Sequence, residues 1–248
     1  MEQNIYQWSL IITGVLNLIM GIYLQSSNYK YKKYPIYRMA RICTIIWVVA
    51  FGIGYQLHAL FMWRFSWPAA ASALTVTYFH LAGICFSWGY TSLLNPVYLT
   101  RRIVKRDIAI YLFGLVAYWT VPLIWKHAPL YTLLSYCIFF SYAVYVTYIF
   151  YRTYNQVSLR LMKMSMGNVR DFVRWMQVCT DLIILFGIGS VVVTALFPTQ
   201  SLPFVFLLFA GVGMFSYMVY SIEHYGNVID TATTATYHMA NIEKKKTK

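Results

Sequence analysis

The sequence contains little charge and very few acidic residues. Only 11% of its 248 residues are charged, seven residues are Asp or Glu, and 60% are apolar. Soluble domains usually carry about a quarter charged residues. A water-soluble globular domain is therefore excluded, and an integral membrane protein is predicted.

Several long stretches contain no charged residue at all. A bilayer core of about 30 Å needs roughly 20 apolar residues of helix, so each such stretch is a candidate membrane span. The last stretch is interrupted by Pro198 and Pro203 with polar residues between them, and it therefore divides in two. Alternating ten-residue segments are lacking, so the predicted class is all-α. The seven predicted transmembrane helices cover residues 6–25, 42–62, 69–94, 108–125, 131–151, 176–197 and 204–226.

The basic residues predict the orientation of these spans, because Lys and Arg remain on the cytoplasmic side of short loops. All but two of the 20 basic residues, Arg64 and Lys126, fall in blocks on one side of the predicted membrane. We therefore expect the N-terminus outside and the C-terminus in the cytoplasm. Residues 1–226 form one seven-helix transmembrane domain, and residues 227–248 form a short basic cytoplasmic tail.

The sequence also lacks the patterns of catalytic and cofactor sites. It has no His-Glu-x-x-His, Gly-x-Ser-x-Gly or glycine-rich phosphate motif, and its four cysteines lack metal-type spacing. The last span has no lysine, which excludes a retinal Schiff base. We expect no enzyme activity, no catalytic residue, no metal and no cofactor. The net charge of +13 lies in blocks beside the spans, where lipid headgroups are the expected partner rather than nucleic acid.

Ionisable side chains inside a membrane are costly and therefore suggest function. The predicted spans contain His58, His80, Asp181, Glu223 and His224 but no Lys or Arg. We expect His80 near the middle of the bilayer, on an interior face of the third span that also carries Thr77 and Ser87. These three residues, together with His58 near the outer end of the second span, form a hypothetical ligand site. Interhelical hydrogen bonding is the alternative role for them.

A second set of residues is expected near the inner ends of the last two spans. Asp181 shares a face with Arg174, and Glu223 lies at a matching depth in a polar stripe with Tyr220. We interpret these four residues as coupling residues, which pass a change in the packing of the bundle to its cytoplasmic side. The alternative is that groups this near the membrane boundary are simply hydrated. The third inner loop, residues 152–175, alternates basic and apolar residues and is expected to lie partly on the membrane surface. It is the best candidate for a coupling element.

Three short segments carry a family resemblance. The segments Tyr151-Arg-Thr-Tyr-Asn155, Asp171-Phe-Val-Arg-Trp-Met176 and Tyr225-Gly226 resemble the multi-helix membrane region of bacterial membrane-anchored helix-turn-helix regulators of the AraC type. The resemblance covers only the membrane part and implies a sensor in a bacterial inner membrane. A cytoplasmic DNA-binding domain follows the last helix in that family. Here only residues 227–248 follow, so we expect no direct nucleic acid binding and a cytoplasmic signalling partner or transcription regulator instead.

Two functions remain open from the sequence. The first is a sensor or receptor that passes a signal to a cytoplasmic partner or output domain, which requires only a helical bundle with a pocket and a cytoplasmic output. The second is a transporter for a small solute, including a proton-coupled one. A transporter is expected to have Gly or Pro interruptions at corresponding positions of two halves, and Pro122 and the glycines of the last two spans do not pair in this way.

Overall fold

Seven long helices make up most of the chain. The computed structural model describes residues 2–124, 129–164, 170–196, 200–227 and 229, and none of these residues is in a strand. The predicted all-α class is therefore confirmed for the described part. The long helices are α1 (Glu2–Ser27), α2 (Pro35–Phe61), α3 (Pro68–Leu94), α4 (Arg101–Ile124), α5 (Pro129–Met164), α6 (Arg170–Leu196) and α7 (Leu202–Gly226).

Within the described residues, six of these helices are long and apolar enough to cross a membrane: α1, α2, α3, α4, α6 and α7. Helix α5 is the longest, at 36 residues. The predicted fifth span, residues 131–151, lies within it. The predicted tail, residues 227–248, lies outside the described residues except for Asn227 and Ile229.

Several helices continue beyond the spans predicted from the charge-free stretches. Helix α2 begins at Pro35 and α4 at Arg101, so Arg41 and Asp107 lie inside helices and are fully buried. The predicted second span, residues 42–62, stops short of Arg41 because a charged residue is taken as its end, whereas the helix itself begins at Pro35. The loop predicted on the membrane surface is also largely helical, since α5 continues to Met164 and α6 starts at Arg170.

Glycines bring α1 and α2 close together. A Cβ atom on Gly52 would lie 2.9 Å from the Leu18 side chain and 3.1 Å from the Gly14 carbonyl oxygen. Small residues of this kind allow close packing of helices in a membrane, where the hydrophobic effect does not drive association. Helix α1 therefore packs along α2 over much of its length and also contacts α7.

An aromatic cluster joins α2 to the rest of the bundle. Phe51 of α2 is only 1% exposed and packs against Tyr78 and Phe79 of α3, Phe186 of α6 and Phe215 of α7. Helix α3 in turn contacts α4 and α5, and α5 contacts α6. Helices α2 and α3 thus link a group formed by α1, α2 and α7 to a group formed by α3, α4 and α5.

Candidate ligand and coupling sites

His80 lies inside the bundle between α3, α4 and α5. It is fully buried, and its Nδ1 atom is 2.9 Å from the Tyr118 hydroxyl of α4. The rings of Tyr111, Phe139 and Tyr142 pack around the imidazole, with centroid separations of 5.3, 6.1 and 5.0 Å. The His80 Nε2 atom is buried, and no described residue forms a hydrogen bond with it.

Tyr142 supplies a second polar group beside His80. Its side chain is 4% exposed, and its hydroxyl is also buried, beside Asp107 of α4 but without a hydrogen bond of normal length within the described residues. Buried polar groups are nearly always hydrogen-bonded, because an unmet donor or acceptor costs about 1–3 kcal/mol. His80 Nε2 and the Tyr142 hydroxyl therefore lie on facing helices with hydrogen-bonding capacity that the described side chains do not fully use.

The other polar residues of the same α3 face are hydrogen-bonded across helices. The Trp119 indole of α4 donates to the Thr77 hydroxyl at 3.1 Å, and Ser87 is 2.8 Å from the Tyr98 hydroxyl. Burial raises the pKa of Tyr98, which lies in the loop before α4, above its usual value. The predicted interior position of this face is confirmed by the burial of His80 and Ser87. Thr77 and Ser87 fit the alternative role of interhelical hydrogen bonding.

His58 lies apart from His80. It is on α2, 6% exposed, and its Nε2 atom is 3.2 Å from the Thr75 hydroxyl of α3. Its aromatic neighbour is Tyr78, which is not among the rings around His80. The structure thus places His58 and His80 in different environments, and the two do not share a site.

Asp107 is a buried acid that the sequence analysis missed. The Trp88 indole donates to its Oδ2 atom at 2.8 Å, and Arg106 donates to its Oδ1 atom at 2.7 and 2.9 Å. Arg106 also donates to the Tyr145 hydroxyl of α5 at 2.7 Å. Trp88 lies in a π-helical turn, Ser87–Thr91, of the kind often found at functional positions. A helix predicted from Arg101 onwards would have identified Asp107 as an acid in the first turns of α4.

Asp181 and Arg174 lie in the N-terminal half of α6. The Asp181 carboxylate accepts a hydrogen bond from the Tyr151 hydroxyl of α5, and its side chain is exposed. Arg174 is exposed too. The hydrogen bond made by Asp181 therefore joins α6 to α5.

Glu223 and Tyr220 lie near the end of α7, away from Asp181. Glu223 forms a salt bridge with Arg41 of α2 at 2.5 Å, and Tyr220 is 67% exposed and stacks on His224. The structure gives Asp181 and Glu223 different partners, Tyr151 of α5 for Asp181 and Arg41 of α2 for Glu223. The equal depth that the sequence predicts for the two carboxylates therefore does not make them one site.

Arg41 links three helices. Besides Glu223 of α7, it donates to the Leu24 carbonyl at 2.9 Å and to the Ser27 hydroxyl at 2.5 Å, both on α1. It also donates to Tyr37 of its own helix, whose hydroxyl donates to the Ile222 carbonyl of α7. The contacts that Arg41 itself makes are charge-assisted, and its side chain is fully buried, so they are stronger than bonds between neutral groups.

Comparisons with known proteins identify no family. No protein-family model matches the chain, no curated protein matches it, and no solved structure matches it. Among the residues that the structure describes, no three His, Cys, Asp or Glu side chains are grouped as in a metal site.

Proposed function

We propose that the protein is a membrane sensor with seven transmembrane helices, in which the site at His80 and Tyr142 binds a small polar ligand. Binding there changes the packing of α5 against α6, and the inner ends of these two helices pass the change to a cytoplasmic partner. The resemblance to the membrane part of AraC-type regulators supports a transcription regulator as that partner and a bacterial inner membrane as the location.

In the proposed topology, α5 crosses the membrane in addition to the six apolar helices, which gives seven spans. Six apolar helices support a multi-pass arrangement, and α5 contacts both α3 and α6, which are among these six. A helix of 36 residues is about 54 Å long, enough to cross a bilayer and continue beyond it. The distribution of Lys and Arg supports an external N-terminus and a cytoplasmic C-terminus.

The continuity of α5 is the observation that carries the proposal. This one helix bears Tyr142 beside His80, Tyr145 beside Arg106, and Tyr151 bonded to Asp181. It then continues to Met164, roughly 20 Å beyond Tyr151 at 1.5 Å per residue. A shift of α5 at the ligand site would therefore reach the inner end of the bundle through a single rigid element.

A transporter is the second candidate, and the buried acid Asp107 is the observation that favours it. A carboxylate with no solvent exposure near the inner end of the same helices could take part in proton movement. Transporters of known folds, however, usually place discontinuous helices at their substrate sites. Helices α4 and α5 run past His80 without a break, which favours the sensor.

Gene complementation tests the proposed function. A strain lacking the gene is compared with the wild type by transcript profiling and then complemented with His80→Ala, Tyr142→Phe or Asp181→Asn. We expect these variants to reach the membrane in normal amounts but to leave the transcript profile of the deletion unchanged. Tyr148→Phe is the matched control, because Tyr148 lies on the same helix with 60% of its side chain exposed, and it should restore the profile.

Full complementation by all three variants would contradict the sensor. If proteoliposomes take up a solute or protons, and if Asp107→Asn abolishes this uptake, the protein is a transporter and not a sensor. The topology is tested separately by a membrane-impermeant thiol reagent on spheroplasts of a cysteine-free variant. Glu2→Cys should be labelled in intact spheroplasts, and Arg102→Cys only after lysis.

A further inference from the structure

A lipid-facing groove lies between α1 and α7, beside the Arg41–Glu223 salt bridge. It has a volume of about 360 Å³, at the lower end of the range for ligand sites. Its walls combine apolar, aromatic and polar side chains, which are Met20, Tyr23, Ser216, Val219, Tyr220, Glu223, His224 and Asn227. Among the described residues that line it there is no Lys or Arg, and Glu223 is the one carboxylate.

Glu223 offers this groove an unused oxygen. Both Arg41 and Ser27 contact its Oε2 atom, and no hydrogen bond to Oε1 occurs within the described residues. The side chain is 25% exposed, whereas Arg41 is fully buried behind it. The carboxylate therefore separates a buried cation from the open groove, and a second cation can approach Oε1 from the groove side.

The position of the groove indicates a lipid. Tyr23 and Tyr220 on its rim are 53% and 67% exposed, and Tyr residues of this kind are typical of the interface between lipid tails and headgroups. Glu223 lies within one turn of the end of α7, and Tyr23 within about one turn of the end of α1. The groove thus opens at headgroup level on the side of the membrane next to Lys30, Lys32 and Lys33.

We propose that this groove binds a phospholipid whose headgroup ends in a primary ammonium, as in phosphatidylethanolamine. The ammonium donates to Glu223 Oε1 and lies near the tyrosine faces, which attract cations. An acyl chain lies along Met20 and Val219. A choline headgroup has no N–H to donate, and an anionic glycerol headgroup has no cation to offer the carboxylate, so both bind more weakly.

Lipid binding to the purified full chain tests this assignment. The protein is placed in nanodiscs that contain equal amounts of phosphatidylethanolamine, phosphatidylcholine and phosphatidylglycerol, and the lipids retained on release are counted by native mass spectrometry. We expect phosphatidylethanolamine to be retained with about a tenfold preference, the size expected of one charge-assisted hydrogen bond. Equal retention of the three lipids would overturn the proposal.

Two variants separate the groove from the stability of the bundle. Glu223→Gln removes the charge, and Ser216→Phe fills the groove while leaving the Arg41–Glu223 pair intact; both should abolish the preference. Ala210→Phe is the control, because Ala210 is exposed on another face of α7, and it should keep the preference. If Ser216→Phe retains the preference for phosphatidylethanolamine, the groove is not the binding site. If millimolar phosphoethanolamine displaces the lipid, the groove binds a soluble amine, and the assignment to a lipid is wrong.

Discussion

The contacts around Arg41, between α1, α2 and α7, and those around His80, between α3, α4 and α5, differ in how far their polar groups are paired. Arg41 bonds to groups on three helices, and its partner Glu223 is itself bonded to Ser27, so that only the Nε atom of Arg41 lacks a hydrogen bond within the described residues. His80 makes one hydrogen bond, to Tyr118, and its Nε2 atom and the nearby Tyr142 hydroxyl make none within the described residues. Several interhelical bonds hold helices together, whereas unpaired groups are available to a ligand. We infer that the first region stabilises the bundle and the second carries its function.

The largest effect on stability is expected at Arg41. Arg41→Met leaves Glu223 and the Leu24 carbonyl without their partner, and it should lower the free energy of unfolding by about 3–5 kcal/mol, as for other broken buried ion pairs. Denaturant titration in detergent micelles measures this change. Arg102→Met, at an exposed position, is the control and should have little effect. The double variant with Glu223→Met should recover part of the loss, and no recovery would mean that the salt bridge is not the main contact.

Close packing of α1 on α2 provides the next test. Gly52→Leu places a side chain against Leu18 and the Gly14 carbonyl, and it should destabilise the protein by about 1–3 kcal/mol through overpacking. The same titration applies. Gly213→Leu is matched to it, because nothing lies within 4 Å of the position where its Cβ would be, and it should be neutral or slightly stabilising. Equal losses in both variants would indicate a general effect of the added side chain.

The hydrogen bond from Trp88 to Asp107 tests the polar contacts of the second group. Trp88→Phe removes one donor from a buried carboxylate that keeps Arg106, and we expect a loss of about 1–2 kcal/mol. The change is measured as a shift of the unfolding midpoint. Trp8→Phe, at a position 63% exposed, should leave the midpoint unchanged. If Trp88→Phe and Trp8→Phe shift the unfolding midpoint equally, the hydrogen bond from Trp88 to Asp107 does not contribute to stability.

The smallest effect on stability is expected at Tyr142, where the functional effect should be largest. Tyr142→Phe removes a hydroxyl that makes no hydrogen bond of normal length within the described residues, so the free energy of unfolding should change by less than about 0.5 kcal/mol or rise slightly. Tyr118→Phe is the contrast, because it removes the partner of His80 and should cost about 1 kcal/mol. A large loss in Tyr142→Phe would show that its hydroxyl holds the bundle together.

The sequence predicts the helices better than it predicts the contacts between them. Charge-free length is enough to locate all seven helices, and residue spacing is enough to place His80 and Ser87 inside the bundle, since both properties are local. The burial of Arg41 and Asp107 cannot be predicted in this way, because it depends on contacts that are not local. A charged residue at the edge of an apolar stretch has the same appearance whether it points into water or into the protein, and the partner of Arg41 is 182 residues away.

Helix α5 shows the same limit. Its predicted span ends at Tyr151 because Arg152 follows, yet the helix continues to Met164. Once a helix leaves the apolar stretch, hydropathy no longer reports its length, and only the backbone hydrogen bonds define its end. The pairing of Asp181 with Tyr151 was likewise beyond the reach of the sequence, since it depends on how α5 and α6 are rotated against each other.

Hydrogen–deuterium exchange tests the division between the two regions most directly, because it reports the opening of each helix separately. In His80→Ala and Tyr142→Phe we expect altered exchange in residues 152–164 and 170–178, at the inner ends of α5 and α6, and unchanged exchange in residues 24–37. In Arg41→Met we expect altered exchange in residues 24–37 and unchanged exchange in residues 152–164 and 170–178. Identical exchange in residues 152–164 between His80→Ala and the wild type would contradict the account, because α5 would then not connect the buried site to the inner end of the bundle.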